Sequence, residues 1–544
     1  MKKTILGMLM LLACAAAAPA AVFQYMIQIE PPAPPPATTP TSKPIRAPQP
    51  LPVWMWIPPQ ARQVRGVVIC GMTLMEREFV KDPQVRAACA QQQLAIVFSR
   101  RGVGSDYQKI LDPLAAASGY PEIVVAPLMF VGHSAGGPAA KGCAVAAGRR
   151  CFGLVQYRGG GPWGQEPVLA GIPTLMMVGQ FDEFGGAMRD ENGRERAWEP
   201  AGDELSGFRS SDERNLTSMV VEPGAGHFAW SERNGVYLAK WIAKAAQASI
   251  PDWPVNAREP VQCKLVDHKS GWLTDPRLRA EKQQAPAAYE KYAGEKDKAN
   301  WHFDQEMAEA TVAYHAGIGR KDQFIKWKDP YWVDAGTRYF FASLEWVGDG
   351  QSFRVHPVYA QTYPTTRPQA PRWHLAGQPV GHSTAPILVK QVSGPVVAIG
   401  PDTLRMEFDG LSGIGDLGRV TFMAYSVGDE QYRYTEQVGM MPRGFGGLKA
   451  GKEQTITFPP LGNLKADGEP LELKATSDSG LKVEYYVNYG PAVVEAGKLK
   501  VAELPLRANF PIEVSVTACQ FGSGVAPLVK TASPVTQIIR IEKP

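Results

Sequence analysis

A chain of 544 residues is too long for a single hydrophobic core, so several domains are expected. Its 57 basic and 53 acidic residues leave a net charge of only +4, with the two signs interspersed. That balance excludes the basic stripe with interleaved aromatics that a nucleic-acid partner requires. Seven cysteines and eight histidines show no metal-ligand or redox spacing, so neither a metal nor a cofactor is expected.

Met1-Lys2-Lys3 is a short positive start, residues 4–12 are mostly apolar, and Ala18-Pro19-Ala20 fits a signal-peptidase site before Ala21. Residues 1–20 therefore read as a signal peptide and the protein as exported, periplasmic or extracellular. The apolar run is too short to span a membrane, and no other run is long enough. A second reading takes Leu11-Leu12-Ala13-Cys14 as resembling a bacterial lipobox, with Cys14 as a lipid anchor. The later cysteines read as buried thiols, with a Cys143–Cys151 bridge the alternative. Residues 21–53 form a linker within a proline-rich stretch from Pro31 to Pro59, extended and semi-rigid.

From residue 54 to 250 apolar runs recur at 64–70, 94–98, 123–131, 152–156, 172–179 and 219–222. Such runs, without polar alternation, fit strands buried on both faces. The third leads into Gly132-His133-Ser134-Ala135-Gly136 and then into small helix formers. Strand, G-x-S-x-G, helix is the nucleophile elbow, a sharp turn that lifts a serine hydroxyl above the sheet. His133, inside it, reads as a packing residue. Asp182 follows the run at 172–179, and His227 sits in the glycine loop after the run at 219–222. A serine hydroxyl needs an adjacent base, and the base needs a carboxylate to fix its tautomer. Glu183 is the nearest competitor for the acid, since it adjoins Asp182.

The elbow and the order Ser134, Asp182, His227 make residues 54–250 resemble the α/β-hydrolase superfamily, in its dienelactone-hydrolase-like and secreted-esterase branches. The resemblance implies a doubly wound, mostly parallel sheet of the α/β class. It implies that Ser134 forms an acyl-enzyme, which water activated through His227 hydrolyses. It also implies an oxyanion hole of two backbone N–H groups, one on Ala135. The second lies in the loop after the run at 64–70, where Met72 is assigned and Gly71 or Thr73 stays open.

Ligands of open α/β sheets bind at the carboxyl ends of the strands. Arg100 and Arg101 leave one such end, so they are candidates for an anionic or sugar-bearing substrate. Tyr157, Trp163 and Trp230 stand near other ends, with Tyr157 and Trp230 the candidates to line the pocket.

Residues 251–330 read as a helical extension, with charged helical sequence from 278 to 314. Residues 331–452 then change to short strands between Gly, Pro and Asp turns, at 339–347, 396–399, 404–408 and 419–425, the pattern of a β-sandwich. Residues 453–544 continue it and resemble bacterial immunoglobulin-like modules, with strands at 454–458, 471–485, 490–494, 498–501 and 537–541. Because every triad and oxyanion candidate falls between Gly71 and His227, the region beyond 331 is expected to be dispensable for chemistry. The sequence thus reads as an exported serine carboxylic-ester hydrolase acting on a small acyl ester, or on acetyl or feruloyl groups of an acylated polysaccharide. A serine peptidase or lactone hydrolase is the alternative enzyme. A surface adhesion protein with an inactive hydrolase domain is the alternative class.

Overall fold

The computed structural model describes residues 23–29, 50–71, 75–100, 102, 104, 106–159, 169–182, 198–278, 282–327, 344–363, 375, 377–442 and 444–544. Eight strands make the main sheet: β1 (Tyr25–Ile29), β2 (Leu51–Trp56), β3 (Gly66–Gly71), β4 (Leu94–Ser99), β5 (Leu128–His133), β6 (Cys151–Tyr157), β7 (Pro173–Gly179) and β8 (Leu216–Glu222). Their order is β1-β2-β4-β3-β5-β6-β7-β8. All pairs from β4 to β8 are parallel, while β2 runs antiparallel to both β1 and β4. Every residue of β3 to β8 is buried, as expected of strands covered on both faces.

Alternate side chains of these strands feed two cores. On one face Val68, Ile96, Met129 and Val155 meet α1 (Met75–Lys81), α2 (Pro83–Gln91) and, through Leu238, Trp241 and Ile242, a later helix, Glu232–Ser249. On the other, Val67, Val97, Phe130 and Leu154 meet α3 (Gln108–Ser118) and α4 (Gly136–Ala147). Two more helices complete the layers: α5 (Ala201–Ser211) packs beside β8, and the Glu232–Ser249 helix, α6, lies against α2 and β6. Asp82 caps α2 by accepting the N–H groups of Gln84 and Val85, and Ser231 caps α6. This mostly parallel, helix-flanked sheet fits the α/β-hydrolase architecture.

The sheet begins before the proline stretch. Tyr25 pairs with Met55 across β1 and β2, so the linker expected over 21–53 contains the first strand of the main sheet. The extension expected to be helical is corrected too. Only α7 (Gln305–Tyr314), capped by Asp304, is α-helical there among the described residues. Upstream, the strands Ala287–Ala288, Trp272–Thr274 and Asn300–His302 pair antiparallel. Pro286 interrupts the charged segment, and a proline inside a helix removes a hydrogen bond and clashes with the preceding turn.

Strand-rich sheets follow. One joins Glu345–Val347, Ser352–Arg354, Thr403–Met406 and Val396–Ala398, and another Leu388–Ser393, Thr421–Ser426 and Thr435–Met440. The strand expected at 339–347 is described only from Leu344 onward. In the last region Leu464–Lys465, Val535–Glu542, Ile512–Cys519 and Glu484–Tyr489 form one sheet, and Leu471–Glu472, Lys498–Val501 and Ala492–Glu495 a second. Such sheets are consistent with β-sandwich packing.

These regions pack on the main-sheet domain rather than trailing from it. Arg507 pairs with buried Glu122 at 2.7 Å, Trp54 donates to Asn488 O at 3.1 Å, and Gly490 N–H donates to Phe23 O at 2.8 Å. Cys70, Cys89, Cys143, Cys151, Cys263 and Cys519 are all buried free thiols, so Cys143 and Cys151 are not bridged. Among the described residues no helix is long and apolar enough to cross a membrane.

Candidate active site

Ser134 lies between β5 and α4 with φ +54°, a left-handed conformation that costs a non-glycine residue energy. The turn is tight enough to demand glycine beside it. A Cβ on Gly132 would stand 2.0 Å from Gly136 O, and one on Gly159 would stand 1.9 Å from Ser134 O. Ser134 N–H donates to Tyr157 O at 3.1 Å, and Ser134 O accepts from Gly137 N–H at 3.0 Å, so the backbone around the hydroxyl is fixed from both sides. Ala135 follows it, exposed, as the residue that caps α4.

Asp182 and His227 come from adjacent strand ends, those of β7 and β8. Gln180 N–H donates to Glu222 O at 3.0 Å, Phe181 N–H to Ala225 O at 2.9 Å, and Gly224 N–H to Gln180 Oε1 at 2.8 Å. These bonds stitch the turn after β7 to the loop after β8. The result sets His227 Nδ1 2.8 Å from Asp182 Oδ2, with Asp182 7% and His227 3% exposed. His133 ties this loop to the elbow, because its Nε2 donates to His227 O at 3.0 Å while its N–H donates to Glu76 Oε1 at 2.8 Å. Its ring is enclosed by His227, Tyr157 and Phe228. Burial first, then the neighbouring His227, holds His133 well below the usual histidine range, so it donates as a neutral imidazole.

The other sequence candidates fall elsewhere. Met72, Arg101, Trp163 and Glu183 lie outside the described residues. Arg100 pairs with buried Asp416 at 3.1 Å and donates to Leu411 O at 3.3 Å, so it fastens the hydrolase to the following β-region. Asp416 also meets Arg77 at 3.5 Å. Tyr157 is 2% exposed, and its hydroxyl donates to Ala229 O at 2.5 Å and accepts from Asn234 Nδ2 at 2.8 Å. That phenol holds up the histidine loop. Trp230 donates to Asp82 Oδ2 at 3.2 Å and packs edge-on to Phe79. With Met75, Phe79, His133 and Tyr157 it walls a small internal cavity behind the elbow.

A buried polar group missed in the sequence surrounds the histidine loop. Arg158, with φ +51° just after β6, forms an ion pair with Glu222 and donates to Gly226 O. Asn234 donates to Glu222 Oε2 at 2.9 Å, and Tyr314 of α7 donates to Asn234. Burial alone raises the Glu222 carboxyl, but Arg158 and Arg233 overcome it and the net shift is downward, keeping the pair ionised.

Acid should loosen this assembly. Burial pushes both His302 and His315 down to about 3, and His133 also lies well below its ordinary value. His315 Nε2 accepts the N–H of Val221 at 3.1 Å, a bond that protonation there abolishes. In the unfolded chain each titrates near 6.5, so below that pH the unfolded state binds protons the folded state refuses. Stability is therefore complete above about 6.5 and falls by up to ~1.4 kcal/mol per pH unit for each histidine as pH drops. Urea midpoints at pH 7 and pH 5 check this, and His315→Gln, which keeps an acceptor but does not titrate, is expected to narrow the difference.

No protein-family model and no curated protein matches this chain. Solved structures similar to it include a poly(3-hydroxybutyrate) depolymerase from Bordetella parapertussis, 13% identical over 37% of this chain and 86% of that one, TM-score 0.25. An S-formylglutathione hydrolase from Agrobacterium tumefaciens is 13% identical over 36% and 90%, TM-score 0.26. The esterase domain of a Rhodothermus marinus protein is 12% identical over 41% and 97%, TM-score 0.26.

Proposed function

We propose that the protein is an exported serine carboxylic-ester hydrolase that works through an acyl-enzyme. The observation that carries this reading is the 2.8 Å contact of His227 Nδ1 with Asp182 Oδ2, in a chain whose elbow serine, Ser134, holds φ +54°. With Nδ1–H held by Asp182, Nε2 is left as the basic nitrogen. Ser134 Oγ attacks the ester carbonyl as its proton passes to Nε2. The tetrahedral oxyanion is received by Ala135 N–H and a second backbone N–H, assigned to Met72; each such donor supplies roughly 3–4 kcal/mol. The C–O bond to the alcohol breaks, and the alkoxide leaves with the proton from Nε2. Water then gives its proton to Nε2, adds to the acyl carbonyl, and Ser134 Oγ departs with that proton.

The substrate class we favour is a small acyl ester, with acetyl or feruloyl groups on polysaccharide as the natural form. Residues 1–20 support export, and the appended β-regions, the last read as immunoglobulin-like, support a surface or polymer setting. A panel of p-nitrophenyl acetate, butyrate and feruloyl esters against peptide p-nitroanilides tests the reading. Ester turnover that Ser134→Ala abolishes is the expected result; amide turnover without ester turnover would turn the assignment to a peptidase.

A further inference from the structure

We propose that Glu436, far along the chain in the first β-region, is a positioning residue for His227, so that this region completes the catalytic machinery. The inference rests on the ester-hydrolase reading. Thr421–Ser426 and Thr435–Met440 pair antiparallel, and the start of the second strand reaches the histidine loop. Glu436 Oε1 accepts the N–H of Gly226, the residue before His227, at 2.7 Å. Tyr434 Oη donates to Glu436 Oε2 at 2.7 Å, so both carboxylate oxygens are held. The approach is close: a Cβ on Gly224 would stand 1.8 Å from Tyr434 O. From the hydrolase side Arg158 donates to Gly226 O. The two polar groups of Gly226 are thus fixed by different regions of the chain.

The loop needs such anchors because Gly224-Ala225-Gly226 has little conformational preference of its own. The same hairpin braces the acid. The Arg433 guanidinium lies 3.8 Å from the ring centre of Phe181, next to Asp182, and Arg433 Nε donates to Asp322 at 3.0 Å. Lys390 Nζ stands 3.4 Å from Tyr434 Oη, and Arg158, Lys390, Glu222 and Tyr434 are the charged and titratable groups that face Glu436. Sequence offers no sign of this, since Gly226 and Glu436 are 210 positions apart.

The test compares full-length wild type, Glu436→Ala, Glu436→Gln and Tyr434→Phe, each checked for folding by circular dichroism. On p-nitrophenyl acetate, Glu436→Ala should lose roughly 10- to 100-fold in kcat with KM within about threefold, the signature of a displaced base. Glu436→Gln should recover most of that loss, because its amide oxygen accepts the same N–H. If the alanine variant does not fold, a lowered kcat in Tyr434→Phe takes its place, and an unchanged one overturns the proposal. A folded Glu436→Ala with wild-type kcat, or a glutamine variant as damaged as the alanine one, also overturns it. Should the wild type hydrolyse no ester at all, the ester reading falls. The downfield proton resonance of His227 Nδ1–H then decides the point alone: loss or broadening in Glu436→Ala supports positioning, and an unchanged signal contradicts it.

Discussion

Ser134→Ala is expected to lower ester turnover by roughly 10⁴-fold or more, and Asp182→Asn by about 10⁴-fold, with KM little changed in either. The two losses should not add, because serine, histidine and carboxylate act as one unit and the double variant has nothing further to lose. Asp182 is 7% exposed and lies 2.8 Å from His227 Nδ1, so an isosteric amide keeps the packing while presenting a donor where an acceptor is needed. The imidazole then turns to the tautomer whose Nε2 already carries a proton and cannot receive one from the serine. Circular dichroism and steady-state kinetics on p-nitrophenyl acetate check both halves of that statement. Glu183→Gln is the control and should be mild. A mild Asp182→Asn with a crippled Glu183→Gln would move the acid to the neighbouring residue.

Arg158→Met is expected to destabilise the hydrolase by about 3–5 kcal/mol, the usual cost of leaving one member of a buried ion pair uncompensated. Arg158 and Glu222 are both 3% exposed, so water cannot take over the lost partner. The guanidinium also donates to Gly226 O, which means its removal should lower kcat as well as the urea midpoint. Arg158→Lys should recover only part of the loss, since a single ammonium cannot reach the carboxylate and the carbonyl in the geometry of the planar fork. Adding Glu222→Gln to Arg158→Met should restore stability relative to the single variant, because no buried charge is left stranded. A double variant weaker than the single one would mean that the pair contributes through packing rather than through charge.

Strands β3 to β7 were legible because they are largely apolar runs buried along their whole length, and β8 showed only its apolar second half, since Thr217 and Ser218 open it. Their limits were less legible. The run at 123–131 holds two elements, a tight 3-10 turn over Pro121–Val124 and then β5 from Leu128, since apolar residues fill both equally well. β1 was hidden by the prolines that follow it: it pairs with a strand beyond them, a contact local composition does not encode. Ile512–Cys519, paired on both sides in the last region, was passed over although Ile512, Val514, Val516 and Ala518 alternate with Glu513, Ser515 and Thr517, the period-two pattern of a strand.

At the site the division is similar. Ser134, Asp182 and His227 could be read from strand-end chemistry and chain order, and the structure brings Asp182 and His227 together. Tyr157 and Arg100 carried the right chemistry for a pocket, but burial and partners from distant segments use it for support instead. Arg158 gave only a faint signal, a cation just after a strand, and Glu436 gave none. Both make their contacts across sequence distance, Arg158 to Glu222 and Gly226 and Glu436 to Gly226, which local composition does not encode.

Ser134 is proposed as the nucleophile, and incubating the full-length protein with a fluorophosphonate, then mapping the adduct by peptide mass spectrometry, puts that assignment to the test. One phosphonyl group is expected on the peptide containing Ser134, and none in Ser134→Ala. An adduct on another residue with Ser134 unmodified, in folded protein that turns over esters, would contradict it.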